Sequence, residues 1–582
     1  KMKKVLGFLK PYTLQIVVVV ILVFIQSMAD LYLPNLMSNI ISKGVLNQDM
    51  DVVYKIGFEM IGVVIIGMTA TIIAGLIASV VAAGFSKSAR KHIFEKVENF
   101  SKAEFNKINA SSLITRTTND VTQVQTFLVM ALRMMVSAPL ICIGGIIMAL
   151  QKDASLSSIF IVVLPVVLLV IGLTARKIIP IMNVMQKKID RITQIAREKL
   201  VGVKVIRAFN MEKHERQRYD EANADLYNTT IKSAYIMSGL MPLMMLIIQI
   251  NMAAILWFGS KRVELYGMEI GDLMAYIQYA NQIMFAVIML TMVFVLIPRA
   301  IVSMKRIAEV LDIPFSIKEK KVTNVVDRKV KKGQIEFKNV SFNYAKNADP
   351  VLKNISFKVE EGETLAIIGG TGCGKTTLLE LMLRFYDTTK GEVLIGGQNV
   401  KDLSLEALRS MIGYVPQKAF LFSGNIEDNI RYGKEDATDV EVKAAAEVAC
   451  ATDFIDTFHS KFKHHIAQGG TNLSGGQKQR ISIARAAVKN PDIYIFDDSF
   501  SALDYKTDTK VRKALETYAE KATKVVVAQR VSTVLNADKI MLLEDGEISA
   551  LGTHKELYKT SKAYKEIVES QISKEEAAES GR

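Results

Sequence analysis

Long apolar runs fill the first half of the chain and give way to an ordinary soluble pattern after about residue 330. Six of these runs reach the length of about 20 residues that a helix needs to cross a bilayer. They lie at about 14–36, 54–84, 126–150, 156–179, 233–258 and 272–299. Buried helices of a soluble protein are the alternative. Six such runs with few charges instead favour an α-helical membrane domain.

The connections between these runs alternate between short and long, and basic residues concentrate in the long ones. Connections 85–125 and 180–232 are rich in Lys and Arg, whereas 151–155 carries only Lys152. Because cytoplasmic loops carry the Lys/Arg excess, we expect the long connections and both termini to lie inside. Helical periodicity in stretches such as Ile189–Phe209 predicts that the membrane helices continue well into the cytoplasm.

Several polar residues interrupt the apolar runs, where they are costly and often functional. They are Gln26, Asp30, Arg133, Gln249, Asn251, Gln278, Asn281 and Gln282. Asp30 and Arg133 could pair within a helix bundle. The alternative for the whole set is hydrogen bonding between helices with no substrate contact. Methionines such as Met130, Met134 and Met284 add adaptable apolar surface, which suits a varied apolar ligand or plain packing.

Composition and charge limit the kinds of partner that we expect for the chain. It has 582 residues and a net charge of 73 − 59 = +14. A basic balance can indicate nucleic acid or an anionic membrane surface. Here the basic residues lie largely between apolar runs, so we expect a lipid bilayer and no nucleic acid as partner. Cys142, Cys373 and Cys450 are widely spaced and form no metal or disulfide pattern.

The stretch Gly369–Thr376 matches the phosphate-binding pattern G-x-x-x-x-G-K-[ST]. The run 364–368 before it is β-prone and the run 377–383 after it suits a helix, a context that disfavours an accidental glycine turn. We expect the backbone N–H groups of the loop to bind phosphates, Lys375 to reach the β- and γ-phosphates, and Thr376 to hold Mg²⁺. The predicted ATP-binding residues here are Gly369, Gly370, Thr371, Gly372, Cys373, Gly374, Lys375, Thr376 and Thr377.

Two further stretches suit the same nucleotide. Tyr344 follows the alternating strand pattern Ile335–Val340, where its ring could stack on adenine; a surface tyrosine is the alternative. The buried-strand run Ile493–Phe496 ends in Asp497 and Asp498. A carboxylate at the carboxyl end of a strand beside a phosphate loop is placed to bind Mg²⁺, and Asp497 fits that position.

A second glycine-rich helix start lies between these stretches. It consists of Leu473, Ser474, Gly475, Gly476 and Gln477. Glycines with a serine at a helix N-terminus form an anion site. Since one chain rarely needs two such sites for one nucleotide, we expect this one to complete a site on another chain.

These motifs, in this order, resemble those of a bacterial ABC exporter half-transporter over essentially the whole length. The resemblance implies a six-helix transmembrane domain at 1–310, a linker at 311–332 and an α/β P-loop ATP-binding domain at 333–582. It implies ATP hydrolysis to ADP and phosphate coupled to transport, with ATP and Mg²⁺. It places the chain in the bacterial cytoplasmic membrane with the ATP-binding domain inside. The resemblance makes Gly369–Thr376 the Walker A loop and Leu473–Gln477 the signature. In the family, two subunits sandwich two ATP molecules between the Walker A loop of one and the signature of the other.

The resemblance also assigns individual residues. Gln417, in Val-Pro-Gln, resembles the glutamine that contacts Mg²⁺ and the attacking water, and Asp504 resembles the D-loop aspartate. Tyr344 resembles the adenine-stacking aromatic, and Asp497 the Walker B aspartate. The stretch Ser111–Asp120 resembles the first coupling helix, the short turn that touches an ATP-binding domain; a solvated loop is the alternative.

Two catalytic positions depart from the family. Asp498 stands where the family has a glutamate, and Gln529 stands where it has a histidine. Aspartate is one methylene shorter, about 1.5 Å, and a misplacement of about 1 Å can cost about 10²-fold in rate. Glutamine can hydrogen-bond a phosphate but does not titrate near neutrality. Gln468–Gly470, before the signature, also departs from the usual Glu-Arg-Gly.

With these departures, the chain resembles one subunit of a heterodimeric multidrug exporter with two unequal ATP sites. Its Walker motifs would form a degenerate site, and its intact signature would complete the competent site of a second half-transporter. We expect export of amphiphilic or hydrophobic compounds. One alternative is a homodimeric lipid flippase in which Asp498 is the working base. Another is a nucleotide-gated or regulatory membrane subunit without turnover.

Overall fold

A computed structural model of the protein describes residues 2–319, 332–345 and 348–571. The first unit comprises the described residues up to Glu98 together with Ala110–Ile313, and the second comprises Asn99–Asn109 together with the described residues from Pro314 onward. The α-helices described before Pro314 are α1 (Met2–Leu6), α2 (Thr13–Asn39), α3 (Met50–Glu98), α4 (Lys102–Lys107), α5 (Ala110–Thr115), α6 (Val121–Lys152), α7 (Ser158–Val201), α8 (Val203–Ala208), α9 (Glu212–Tyr266) and α10 (Ile270–Asp312). A 3₁₀ turn (Gly7–Tyr12) precedes α2, and π-helical turns (Ile40–Val45 and Arg116–Asp120) follow α2 and α5.

Among the described residues, six helical stretches are long and apolar enough to cross a membrane, one for each predicted run. They are Met2–Val45, Met50–Glu98, Ala110–Lys152, Ser158–Val201, Glu212–Leu265 and Ile270–Asp312. The predicted α-helical membrane domain is thus confirmed. The 49 residues of α3 span about 70 Å at about 1.5 Å per residue, more than twice the hydrocarbon core. This helix therefore continues well beyond its apolar part, as the periodicity predicts.

Close helix packing in the first unit depends on small residues and on a buried aromatic cluster. Ala74 and Ala78 of α3 are fully buried against Val19 and Val23 of α2. Small side chains let helix backbones approach closely. This matters in a membrane because the surrounding lipid provides no hydrophobic driving force for helix association. In α10, Tyr276 is fully buried and stacks on Phe160 with ring centroids 5.6 Å apart.

One of the polar residues of the apolar runs bonds between two helices. Gln282 Nε2 of α10 donates to the backbone oxygen of Asp30 in α2 at 2.8 Å. The hypothesis of an Asp30–Arg133 ion pair is not supported, because these two side chains form no ion pair within the described part of the chain. The Arg133 guanidinium instead lies against Gly75, where a Cβ would be 3.6 Å from its nearest nitrogen.

The second unit is built on two main sheets. Its strands are β1 (Ile335–Phe342), β2 (Leu352–Val359), β3 (Thr364–Ile368), β4 (Lys390–Ile395), β5 (Gln398–Asn399), β6 (Ile412–Val415), β7 (Gly424–Asn425), β8 (His465–Ile466), β9 (Ile493–Asp497), β10 (Thr523–Val527), β11 (Lys539–Glu544) and β12 (Glu547–Gly552). One sheet is antiparallel, in the order β2-β1-β4-β5. The other has the order β12-β11-β3-β10-β9-β6, in which every neighbouring pair except β12–β11 is parallel.

Helices cover this parallel sheet and complete the α/β domain. They are α11 (Lys375–Met382), α12 (Leu405–Ser410), α13 (Ile426–Arg431), α14 (Asp439–Val448), α15 (Thr452–Ile455), α16 (Gly475–Val488), α17 (Tyr505–Tyr518), α18 (His554–Thr560) and α19 (Lys562–Gln571). The strands β3 and β9 are buried along their whole length or nearly so, as expected for parallel strands covered on both faces. Their carboxyl ends lie at one edge of the sheet, which is where ligands of such sheets bind.

The predicted linker 311–332 is structured at its start. Helix α10 continues to Asp312, and the main part of the second unit starts at Pro314. In that unit, Leu405 N donates to the Glu319 carboxylate at 2.9 Å. The remaining part of the predicted linker, 320–331, lies outside the described residues.

Candidate nucleotide-binding site

The loop 369–374, between β3 and α11, has no room for a side chain at two of its glycines. Gly369 has φ +158° and Gly374 has φ +106°. A Cβ on Gly369 would lie 2.2 Å from the Leu543 carbonyl oxygen, and one on Gly374 would lie 2.7 Å from Leu352 Cδ2. Packing on both sides therefore sets the path of the loop and holds it at the sheet edge.

Lys375 closes this loop with its side chain. Its Nζ donates to the carbonyl oxygens of Gly369 at 2.8 Å and Gly370 at 2.6 Å, and lies 3.6 Å from Cys373 Sγ. The ammonium is therefore held on the loop that precedes it. Backbone N–H groups at a helix N-terminus and an ammonium in one turn form an anion-binding arrangement.

Thr376 and Asp497 form a pair of oxygen ligands. Thr376 Oγ1 donates to Asp497 Oδ1 at 3.3 Å, across from α11 to the end of β9. Asp497 is only 3% exposed. Burial raises the pKa of its carboxyl, and the hydrogen bond from Thr376 partly offsets that effect. Hydroxyl and carboxylate oxygens are the ligands that Mg²⁺ prefers, so the donor set fits this ion.

The Asp498 carboxylate is hydrogen-bonded by two glutamines that follow the strands on either side of β9. Its Oδ2 accepts a hydrogen bond from Gln529 Nε2 at 2.9 Å and a second from Gln417 Nε2 at 3.2 Å. Gln417 follows β6, Asp498 follows β9 and Gln529 follows β10. Asp498 has φ +47°, a left-handed backbone that is uncommon outside glycine. The structure thus brings the three predicted catalytic residues together on one carboxylate oxygen.

Tyr344 lies beside the same helix. Its hydroxyl hydrogen-bonds Thr377 Oγ1 at 2.8 Å and donates to Glu380 Oε2 at 3.4 Å. Its ring packs edge-on against Tyr386, with centroids 5.2 Å apart. About half of the residue is exposed, so a ring held at its hydroxyl end leaves a face for a second ring.

The signature stretch 473–477 forms a helix start of its own. Ser474 is the N-cap of α16: its Oγ accepts from Gln477 N at 3.3 Å, and Gln477 Oε1 accepts from Ser474 N at 2.9 Å. This reciprocal capping box explains the serine and the glutamine locally. Before it, Gly469 and Gly470 both have positive φ, +69° and +66°. The glycine at 469, where the resemblance implies an arginine, suits this left-handed backbone.

Asp504 has a local role as well. Its carboxylate caps α17 by accepting from Thr507 N at 3.0 Å. That bond lowers the pKa of Asp504. In the loop before it, Ser501 Oγ donates to the backbone oxygen of Asp498 at 2.8 Å. The loop between Asp498 and Asp504 is thus anchored at both ends.

The stretch Ser111–Asp120 stays a prediction as the first coupling helix. That stretch is helical, leads directly into α6 and belongs to the first unit. Another short helix, α4, lies within the second unit. Lys102 pairs with Glu380, and Asn106 Nδ2 donates to the Tyr386 hydroxyl at 3.1 Å.

Sequence reasoning missed α4 and its partners. Its N-terminus carries a signal that could have found it, the capping box Ser101-Lys-Ala-Glu104. Glu104 also accepts from Ser316 N at 3.0 Å. Glu380 lies inside the helix pattern after the phosphate loop, where no sequence signal separates it from a surface glutamate. Its side chain is only 5% exposed.

A phosphate loop at the carboxyl edge of a parallel sheet, on a chain with six membrane-length helices, defines an ATP-powered membrane transporter. The family model described as "ABC transporter transmembrane region" matches residues 16–287. The family model described as "ABC transporter" matches residues 352–501. The chain belongs to the ABC transporter family, and its two regions are those of an exporter half-transporter.

Relatives extend over nearly the whole chain. An uncharacterized ABC transporter ATP-binding protein, YfiB of Bacillus subtilis (strain 168), is 39% identical over 574 residues, which is 99% of each chain. An ATP-dependent lipid A-core flippase of Syntrophus aciditrophicus (strain SB) is 33% identical over 84% of this chain and 81% of its own. The putative multidrug export ATP-binding/permease protein YgaD of Bacillus subtilis (strain 168) is 30% identical over 97% of this chain and 98% of its own. A solved bacterial Atm1-family ABC exporter with ATP bound shares the fold, with a TM-score of 0.80, 24% identity and coverage of 96% of this chain and 98% of that one.

Proposed function

We propose that this chain is one subunit of a heterodimeric ABC exporter that moves amphiphilic or hydrophobic compounds across the bacterial cytoplasmic membrane. Membership of the ABC transporter family supports ATP hydrolysis coupled to transport. The names of two relatives, a multidrug export protein and a lipid A-core flippase, support amphiphilic cargo. The Lys/Arg-rich connections 85–125 and 180–232 support a cytoplasmic ATP-binding domain and cytoplasmic termini.

The observation that carries the unequal-site proposal is the engagement of Asp498. A general base needs a lone pair directed at the water it activates. Both side-chain amides, from Gln417 and Gln529, donate to the same Oδ2 of Asp498. A glutamate would extend its carboxylate about 1.5 Å further. We infer that a carboxylate one methylene short, and fixed at Oδ2 by two amides, places its free Oδ1 poorly for the attacking water. This site would then hold ATP and hydrolyse it slowly.

The same site has what nucleotide binding needs. Tyr344 would stack on adenine, the loop 369–374 and Lys375 would bind the phosphates, and Thr376 and Asp497 would hold Mg²⁺. Gln417 keeps its amide oxygen available for the ion, since only its nitrogen bonds Asp498. When bound, Mg²⁺ neutralises charge on the phosphate oxygens. Binding without fast turnover is therefore the expected behaviour of this chain's own Walker motifs.

The signature is the part of this chain that we assign to the competent site. Ser474 and the glycines of 473–477 start α16 with its N–H groups toward the helix N-terminus, the arrangement that binds phosphate. The partner half-transporter would supply the Walker motifs of that site, with a catalytic glutamate and a switch histidine. Asp504, beside this helix start, would lie at the same subunit interface.

ATPase activity of the purified chain tests this proposal. It should be measured for the chain alone in lipid nanodiscs, and then for the chain purified together with the half-transporter encoded next to it. We expect little activity alone and substrate-stimulated activity for the pair. Replacing the partner's catalytic glutamate should abolish that activity. A lone chain that forms a dimer and hydrolyses ATP at the rate of the pair would refute the unequal-site proposal.

The same measurement decides a second candidate function. Because a lipid A-core flippase is 33% identical over most of the chain, a homodimeric lipid flippase is the alternative. It requires a fully active lone chain and lipid-stimulated ATPase activity. A regulatory subunit without turnover would instead give a complex that binds ATP and moves no substrate against its gradient.

A further inference from the structure

A cleft of about 290 Å³ opens between α2 and α3 within the first unit. Its walls are apolar except for Asp30 of α2 and Thr71 of α3. The Thr71 hydroxyl donates to the Gly67 backbone oxygen of its own helix at 2.8 Å. The Asp30 carboxylate is therefore the polar group of the cleft that is available to a ligand.

Asp30 has no cationic partner among the described residues. Gln26, one turn earlier, hydrogen-bonds its carboxylate, and Gln282 bonds its backbone oxygen at 2.8 Å. Arg133 lies against Gly75, about one turn beyond Thr71 on α3. A carboxylate has about four acceptor positions, so one amide leaves most of them open. A carboxylate at membrane depth with no cation beside it is a costly residue to keep, unless a ligand supplies the charge.

The rest of the cleft suits an apolar body attached to that charge. Gly67 faces Ala29 so closely that a Cβ on it would lie 3.1 Å from the Ala29 Cβ. The larger side chains of Leu33, Val64 and Met68 line the space beside this contact. Its volume is close to the lower end of the range for small-molecule pockets, which is about 300–1,000 Å³. The cleft therefore fits a head group with adjoining carbon atoms.

We propose that this cleft binds the cationic group of a hydrophobic monocation, with Asp30 as its counter-charge. The inference rests on the proposed function, because it names the substrate class of an exporter of amphiphiles. A weakly hydrated cation loses little hydration free energy when it leaves water. Its attraction to a carboxylate grows as the surroundings become less polar. A hydrophobic anion of the same shape would meet an uncompensated negative charge in the same cleft.

Binding of labelled tetraphenylphosphonium, with tetraphenylborate as its anionic isostere, tests the proposal. It should be measured by equilibrium dialysis on the full chain in nanodiscs of neutral lipid, alone and with its partner half-transporter, without ATP. We expect the phosphonium to bind and the borate not to compete. Asp30→Asn should weaken phosphonium binding at least 10-fold, and Asp30→Glu should stay within about 3-fold of the natural chain.

Two further variants keep the test decisive if Asp30→Asn does not fold. Val64→Trp fills the cleft and leaves Asp30 in place, so it should also weaken binding. Glu59→Gln removes an exposed carboxylate of α3 that does not line the cleft, and it should leave binding unchanged. Binding that Val64→Trp or Asp30→Asn leaves intact would overturn the proposal. This readout needs neither hydrolysis nor transport. Asp30-dependent binding by a chain that moves no substrate would therefore refute the export proposal alone.

Discussion

Gln529 Nε2 donates a hydrogen bond to Asp498 Oδ2 over 2.9 Å. The two residues follow neighbouring parallel strands, in which Val527 of β10 is level with Asp497 of β9. They are also the two positions at which the chain departs from the histidine and glutamate that the family resemblance implies. Asp498 and Gln529 are thus hydrogen-bonded to each other at the two positions where the resemblance implies a catalytic base and a switch residue. We expect the two residues to be functionally coupled.

Restoring both family residues should give this chain a working site. We predict that Asp498→Glu with Gln529→His raises the ATPase rate of the purified chain by about 10²-fold, the cost assigned to a misplaced base. Either single change should give less than half of that gain in free energy, because the remaining partner still holds the carboxylate. Phosphate release at saturating Mg-ATP measures the effect. An unchanged rate in a double variant that still binds ATP would contradict it.

The backbone of the phosphate loop should tolerate no side chain at Gly369. A Cβ there would meet the Leu543 carbonyl oxygen at 2.2 Å, whereas one on Gly370 would meet nothing within 4 Å. We predict that Gly369→Ala destabilises the chain by about 1–3 kcal/mol, the usual cost of overpacking. Gly370→Ala should leave the unfolding temperature of the nucleotide-free chain unchanged. Equal unfolding temperatures for the two variants would show that the loop can move away from β11.

The pair of Lys102 and Glu380 should couple α4 to the nucleotide site. Glu380 is nearly buried, accepts from the Tyr344 hydroxyl and pairs with Lys102. We predict that Lys102→Ala reduces substrate stimulation of the ATPase of the complex and that Glu380→Gln has the same effect. Because Lys102 is half exposed, solvent screens the pair, and a double-mutant cycle should give about 0.5–1 kcal/mol.

Lys107→Ala is the matched control for this prediction. Lys107 is exposed on the same short helix, so its loss should leave substrate stimulation intact. If the two lysine variants behave alike, the charge of α4 matters in general and the specific pair does not.

Burial of Asp497 should make stability depend on pH. Burial raises its pKa above the ordinary value of 3.8, so the folded chain favours the protonated acid. The contribution of this group to stability is therefore present below pH 3.8 and is lost as the pH rises through the raised pKa. We predict that Asp497→Asn raises the unfolding temperature at pH 7 by roughly 2–4 °C and flattens its dependence above pH 4.

The same variant should lose the stabilisation that Mg-ATP gives. A ligand that binds only the folded state raises its stability by mass action, and the amide no longer offers the ion a charged oxygen. Thermal unfolding with and without Mg-ATP measures both effects. A variant that is less stable than the natural chain at pH 7 would contradict the assigned role of burial.

The sequence predicts the parts of this molecule that depend on one residue pattern at a time. The apolar runs anticipate the six membrane-length helices because crossing a bilayer constrains every residue of a run. The run 364–368 coincides with β3, because a buried parallel strand is continuously apolar. The phosphate loop follows from its glycines, whose positive φ angles the structure shows at Gly372 and Gly374.

Contacts between distant residues could not be predicted in this way. Asp498 and Gln529 are 31 residues apart, and only the order of β9 and β10 in the sheet brings them together. The short helix α4 was not predicted, because helix boundaries depend on caps such as Ser101 and Glu104. The pairing of Asp30 with Arg133 was a hypothesis based on charge alone. The structure instead puts Gly75 beside Arg133 and a cleft beside Asp30.

This chain's own site, as proposed above, holds ATP without hydrolysing it. Vanadate trapping in the purified complex, with azido-ATP labelled on its α-phosphate, tests that claim most directly, because vanadate retains ADP only at a site that has just hydrolysed ATP. We expect unhydrolysed ATP cross-linked to this chain with or without vanadate, and vanadate-dependent ADP cross-linked to the partner. Vanadate-dependent ADP on this chain would contradict it.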